Sequence, residues 1–322
     1  MGDRIALKVD VDTLRGTLEG VPALVDLLLR YRLNATFLFS LGPDNTGRAL
    51  RRIFRPGFLG KVLRTCVTAN YGLKTLCYGT LLPAPDIGER GRAAMLAVRD
   101  AGFEVGIHCH DHVLWQDRVA CRDYAWTRDQ MHLAVDAFHR VFDESPKVHG
   151  AAGWQINEHV PTLEAELGFE YASDTRGAGP FRPMISGKPV SCPQLPTTLP
   201  TFDEVIGLAG CTEDNVADVL LDCSLAPVRF GHVFTLHAEL EGMRLRPAFE
   251  RLLQRWLDRG LQPCSMRDMY LHLSQRLPVC AVDFEEIAGR SGLVACQGDP
   301  LFSSQHSAIH PSSLALRATH EE

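Results

Sequence analysis

The chain has 322 residues, 45% of them apolar, enough for one large domain with a full core or for two smaller ones. A formal net charge of −6 and a pI near 6.1 give no electrostatic basis for a nucleic-acid partner. No run approaches the ~18 apolar residues of a spanning helix. The N-terminus lacks a basic-then-apolar leader, and the ten cysteines form no Cys-x-x-Cys pair, so reduced thiols in a cytoplasm are expected rather than a disulfide framework or a zinc ribbon.

The elements alternate along the chain. Residues 5–11 have period two: Ile5, Leu7, Val9 and Val11 share one strand face, and Ala6, Lys8, Asp10 and then Asp12 share the other. Helical spacing predicts a helix over 19–32, and Ala35 to Phe39 read as a second strand. A helix at 86–101 closed by Gly102, a strand at 103–108, a helix at 127–142, a short strand at 147–151 and a helix at 158–167 closed by Gly168 follow. Then come a helix at 213–222, a strand at 231–237, a helix at 247–259 closed by Gly260, and a helix at 266–276.

Repeated strand–helix alternation means crossovers and a mainly parallel sheet. Roughly seven strand candidates fit a seven- or eight-fold (β/α) barrel, whose site lies at the C-terminal ends of the strands. An open doubly wound sheet is the second choice, but the turn at residues 12–16 carries no dinucleotide fingerprint. Residues 1–276 form the expected catalytic domain. From 277 to 322 the periodicity fades into an irregular extension, its last ~25 residues expected to be disordered.

Three strand ends carry chemistry. Asp10 and Asp12 close the first strand; two carboxylates on one face repel unless a cation or a proton lies between them. His108, His110 and His112 follow a later strand: a helical turn puts His108 and His112 on one face, whereas an extended chain groups all three. His237 ends the apolar run 233–236, with Glu239 two residues on. One carboxylate and two imidazoles make a ligand set for a divalent metal with open positions, leaving one carboxylate and one histidine as base and acid. Gly150 to Trp154 combines small residues with a large ring, suited to a close backbone approach and a pocket wall. Asp174, Arg176 and Arg182 lie in a polar stretch suited to phosphate or carboxylate recognition.

The set Asp-x-Asp, His-x-x-x-His and Leu-His, in that order, resembles the NodB-type polysaccharide deacetylases, carbohydrate esterase family 4. Residues 10–17, 40–45, 151–154, 173–177, 199–207 and 235–239 resemble one branch of it, which removes the formyl group from a formamido-arabinose carried on undecaprenyl phosphate for lipid A modification and polymyxin resistance. The resemblance covers about residues 4 to 300. It implies a distorted (β/α) barrel, Asp10 as general base, Asp12, His108 and His112 as ligands of Zn, Co or Mn, and His237 as general acid. Trp154, Asp174, Arg176, Arg182 and Glu239 are the expected substrate contacts. A NodB-type deacetylase acting on another N-acylated sugar or amide is the alternative. Two departures stand out: the family's usual base-orienting arginine is missing from residues 150–154, and His110 sits between the two ligand histidines.

An insertion over about 47–85 contains no acidic residue between Asn45 and Pro85. Arg48, Arg51, Arg52, Arg55, Lys61 and Arg64 alternate there with apolar side chains such as Phe54 and Phe58. A basic amphipathic segment with aromatics predicts an interface with anionic lipid. The expected location is therefore peripheral, on the inner face of the cytoplasmic membrane.

Overall fold

The computed structural model describes residues 3–49, 67–273, 276–290 and 292–301. Its centre is a parallel sheet of β1 (Arg4–Val11), β2 (Thr36–Ser40), β3 (Glu104–Cys109), β4 (Val148–His149) and β5 (Tyr171–Ala172), followed after two small strands, β6 (Arg182–Ile185) and β7 (Lys188–Pro189), by β8 (His232–His237) and β9 (Gln262–Cys264). The order across the sheet is β5–β4–β3–β2–β1–β8, with β9 added alongside the first residues of β1. The expected barrel is present, and its distortion lies between β5 and β8. Residues 194–199 bridge that gap without forming a regular strand: Leu195 N–H donates to Ala172 O at 2.7 Å and Thr198 N–H to Val233 O at 3.1 Å.

The period-two pattern of β1 sorts into two cores. Ile5, Leu7, Val9 and Val11 pack outward with the aliphatic and aromatic faces of the surrounding helices. Ala6 points into the barrel with Leu38, Val148, Tyr171, Leu195 and Val233, closed at the bottom by Met266 and Met269. Lys8, Asp10 and Asp12 follow Ala6 on the same face, so the barrel interior turns from apolar to charged toward its mouth.

The helices match the expected ones within a few residues. Asp86 caps Ile87–Asp100 through Glu89 N–H at 2.9 Å, and Asp123 caps Tyr124–Phe142. Gly102 and Gly260 follow their helices at φ of 89° and 75°, where a side chain would be strained. Met266–Leu271 is shorter than the predicted 266–276.

The chain beyond residue 277 is more regular than its sequence suggests. β10 (Val279–Glu286) and β11 (Leu293–Pro300) form an antiparallel pair, and β10 extends β6 and β7 into a second small sheet. Most of β10 is partly or fully exposed, so the apolar alternation that betrays a buried strand is weak there. This hairpin is tied to the loop after β5: Arg176 N–H donates to Ala295 O at 2.8 Å and Gln297 N–H to Arg176 O at 2.7 Å.

Within the basic insertion, the helix Val67–Cys77 is kinked at Gly72. Leu73 and Leu81 are 75% and 83% exposed. Arg48 is exposed, its Nε donating to Gly79 O at 3.1 Å. Arg51, Arg52, Phe54, Arg55, Phe58, Lys61 and Arg64 lie outside the described residues, as do residues 302–322. Among the described residues no helix is long and apolar enough to cross a membrane.

Candidate active site

Asp12 stands one residue past β1, His108 near the end of β3, and His112 opens the helix His112–Arg118. The chain turns at residues 110–111, where Asp111 caps that helix through Leu114 N–H at 3.0 Å. Strand and helix start thereby bring the His108 and His112 rings to 5.4 Å between centroids. Asp12 Oδ1 lies 3.3 Å from Nε2 of each. Burial works against the Asp12 charge, but His112 and His108 outweigh it and hold its pKa well below the ordinary carboxylate value.

This donor set fits a divalent cation. A ligand atom from each of Asp12, His108 and His112 can lie within 4.8 Å of the others. His108 Nδ1 is 2.6 Å from Gly150 O, which can only accept, so the proton sits on Nδ1 and the Nε2 lone pair faces Asp12. Asp12 Oδ1 is buried without a hydrogen bond. His110 is not in the cluster. It packs on Gly42, where a Cβ would come within 2.6 Å of its ring, and lines a small apolar pocket with Cys109, Trp115 and Met131.

Asp10 lies deeper. Its Oδ1 is 3.8 Å from His108 Nδ1, on the side of that ring away from Asp12, and has no hydrogen bond. Its Oδ2 is 3.5 Å from Lys8 Nζ. His237, at the end of β8, is paired in register with Asp10. His237 is half-buried, and its Nδ1 is buried without a partner.

A carboxylate pair beyond β8 braces these ends. Glu239 Oε1 accepts from Asp12 N–H at 3.1 Å, Thr13 N–H at 2.9 Å and the Thr13 hydroxyl at 2.7 Å. Glu241 Oε2 accepts from His237 N–H at 2.7 Å. Burial, and for Glu239 the nearby Asp12 charge, pushes both carboxyls up to about 8. Gly16 makes the first arrangement possible, since a Cβ there would stand 2.0 Å from Glu239 Oε1. Asp44 accepts Leu14 N–H at 3.0 Å, and Asn45 donates to Asp111 at 2.6 Å, so residues 44–45 bind the first strand end to the third.

The structure uses most of the expected substrate contacts as scaffold. Asp174 is fully buried: it accepts Ala151 N–H at 2.6 Å and Gln194 Nε2 at 2.8 Å, and lies 3.2 Å from His149. Burial opposes a charge on His149, but Asp174 and Glu164 outweigh it and raise its pKa to about 10. This His149–Glu164–Asp174 group is a second potential metal-ligand cluster, yet its atoms already bond one another, with His149 Nδ1 on Glu164 Oε1 at 2.6 Å. Trp154 is 1% exposed, so its ring is buried rather than an open wall. Lys8, Arg176 and Arg290 cover its ring at 5.3, 5.0 and 4.1 Å. Arg176 is held by Glu204 at 2.5 Å and Leu199 O at 3.0 Å, and Arg290 by the same Glu204 carboxylate. Arg182 serves the small sheet, its Nε donating to Val190 O at 3.0 Å. Glu239 is buried behind Asp12.

Lys8, Glu241 and Arg290 have no role in the sequence reading. Lys8 carried the clearest signal: a charged residue inside an apolar strand, on the face that bears both aspartates. Arg290 carried none, because its hairpin is not periodic.

The parallel barrel is the fold of the NodB-type polysaccharide deacetylases. A putative polysaccharide deacetylase from Mycobacterium smegmatis superposes with a TM-score of 0.56 at 16% identity, over 84% of this chain and 89% of that one. A probable polysaccharide deacetylase from Pseudomonas aeruginosa PAO1 gives 0.52 at 17% identity, over 84% and 90%. No family model matches the chain. Full-length relatives are more specific. The probable 4-deoxy-4-formamido-L-arabinose-phosphoundecaprenol deformylase ArnD of Shewanella sediminis is 32% identical over 309 residues, 95% of this chain and 98% of that protein. The protein of the same name from Wigglesworthia glossinidia brevipalpis is 31% identical over 283 residues, 88% and 98%. The chain belongs to this deformylase family.

Proposed function

We propose that this chain hydrolyses the formamide of 4-deoxy-4-formamido-L-arabinose linked to undecaprenyl phosphate, releasing formate and leaving the 4-amino sugar on its carrier. The observation that carries the reading is the Asp12–His108–His112 donor set, flanked by Asp10 and His237, in a chain aligned over almost its whole length with the ArnD relatives. A divalent cation held by Asp12, His108 and His112 would polarise the formyl carbonyl and ease deprotonation of the attacking water. Asp10 takes a proton from that water. Its neighbours on β1 and β8 hold it below the donor set. His237, fixed at its backbone by Glu241, delivers a proton to the departing amine nitrogen. Without that proton the C–N bond breaks to a poor leaving group.

The lipid carrier gives the insertion a purpose. The exposed Leu73, Leu81 and Leu82 belong to the same insertion as Arg51, Arg52 and Arg55, and apolar and basic side chains in one insertion suit docking on an anionic inner leaflet while the sugar reaches the barrel mouth. The test is turnover of purified protein on formylated and acetylated lipid-linked sugars, with and without chelator. Formate release that chelator abolishes and added metal restores is the expected result. Equal or faster acetate release would replace the formyl reading with a deacetylase, and chelator-resistant turnover would remove the cation from the reaction.

A further inference from the structure

Asp10 has no arginine beside it from residues 150–154, yet its carboxylate lies in a tightly built cationic setting. Lys8 is fully buried, two residues before Asp10 on the same strand face. Its ammonium has three attachments: Ser173 O at 2.9 Å, the Trp154 ring at 5.3 Å and Asp10 Oδ2 at 3.5 Å. Gly150 leaves room for it and for Leu38: a Cβ there would stand 2.4 Å from Leu38 Cδ1, 3.1 Å from Lys8 Cε and 3.3 Å from Nζ. The stretch that lacks the arginine thus packs against a lysine. The backbone turns sharply there, with Gly153 at φ 64° and Trp154 at φ 53°, and the indole packs 5.3 Å from the ammonium.

We propose that Lys8 is the positioning residue of Asp10. A buried cation beside Oδ2 restrains the Asp10 carboxylate and leaves Oδ1, which has no hydrogen bond, as the oxygen that accepts the proton. Fixing a catalytic group within a few tenths of an ångström is worth far more to turnover than to binding. The lysine is itself held by Ser173 and Trp154, so its own freedom is already lost before substrate arrives. Arg290, stacked on the same indole at 4.1 Å from the tip of the β10–β11 hairpin, covers the ring from another side and keeps it packed.

This proposal rests on Asp10 being the base, and the experiment separates the two. Lys8→Met, Lys8→Gln, Asp10→Asn and the double variant Lys8→Met/Asp10→Asn are compared with wild type for kcat, KM, bound metal and thermal unfolding. Lys8→Met is expected to fold, keep its metal and hold KM within about twofold, while kcat falls on the order of 10²-fold, a size in line with losing the alignment of one acid–base group. The double variant is expected to match Asp10→Asn alone, because a positioning residue has nothing left to position. Lys8→Met at near-wild-type kcat overturns the proposal, as does a double variant weaker than Asp10→Asn by the full Lys8→Met factor. If neither Lys8 variant can be recovered folded, the lysine serves stability and the proposal fails. An active Asp10→Asn enzyme instead removes Asp10 as base and takes this role of Lys8 with it.

Discussion

Asp10 and His237 are register partners across the parallel strands β1 and β8. Partners in a parallel pair send their side chains to the same side of the sheet, here the barrel interior. A carboxylate and an imidazole 227 positions apart in sequence are thereby placed side by side at one height by backbone hydrogen bonds alone.

From this pairing, Asp10→Asn and His237→Ala should each lower kcat by about 10²–10⁴-fold, the usual worth of a positioned acid or base. Metal content, measured by mass spectrometry on the dialysed proteins, should stay at the wild-type level in both. Loss of metal from Asp10→Asn together with its retention in Asp12→Asn would exchange the roles of the two aspartates.

For the donor set, His108→Ala and His112→Ala should remove both bound metal and turnover. His110→Ala should keep the metal, since its ring packs on Gly42 and not on Asp12. A metal-free His110→Ala protein would mean that three imidazoles share the ion.

Gly16→Ala is expected to destabilise the fold by about 1–3 kcal/mol through a forced shift of Glu239, read as a lower unfolding temperature. Metal affinity should weaken with it, because Glu239 holds the Asp12 backbone. An unchanged melting curve would show that Glu239 is free to move aside.

Glu241 should make stability depend on pH. Its carboxyl is raised from 4.5 to about 8 by burial, so the folded state favours the neutral form. The unfolded chain releases that proton from about pH 4.5 upward, and stability falls as pH rises from there toward 8, by at most about 1.4 kcal/mol per unit. Glu241→Gln keeps an acceptor for His237 N–H and cannot ionise. Denaturant titrations across that window should show it gaining on wild type as pH rises; a constant difference would place the Glu241 carboxyl in its ordinary range.

For the membrane surface, purified protein should sediment with anionic vesicles at low salt and be released at high salt. Arg51, Arg52 and Arg55 replaced together by Glu should abolish that binding, each arginine being worth roughly 1 kcal/mol near such a surface. Binding that ignores both salt and the triple change would point to some other surface.

The sequence made the barrel legible because its strands are buried on both faces and its helices carry glycine stops. The donor residues were legible because they end those strands. What was hidden depends on distant contacts. Asp174 has the look of a loop residue, but its environment is set by His149 and Glu164, brought from other elements. Trp154 has the look of a pocket wall until three cations from three parts of the chain cover it. The β10–β11 hairpin lacks a buried face long enough to leave a pattern.

That hairpin also sets an order on biosynthesis. Asp10, Asp12, His108, His112 and His237 all precede β10 and β11 in the chain, so synthesis reaches them before the Arg290 cover of Trp154 exists. Arg290 and the two strands beside it come later in the chain and attach to Glu204 and Arg176. A product broken off before residue 279 would keep Asp10, Asp12, His108, His112 and His237, with Lys8 and Arg176 still on the indole, yet lose the Arg290 contact and leave Glu204 with one arginine instead of two.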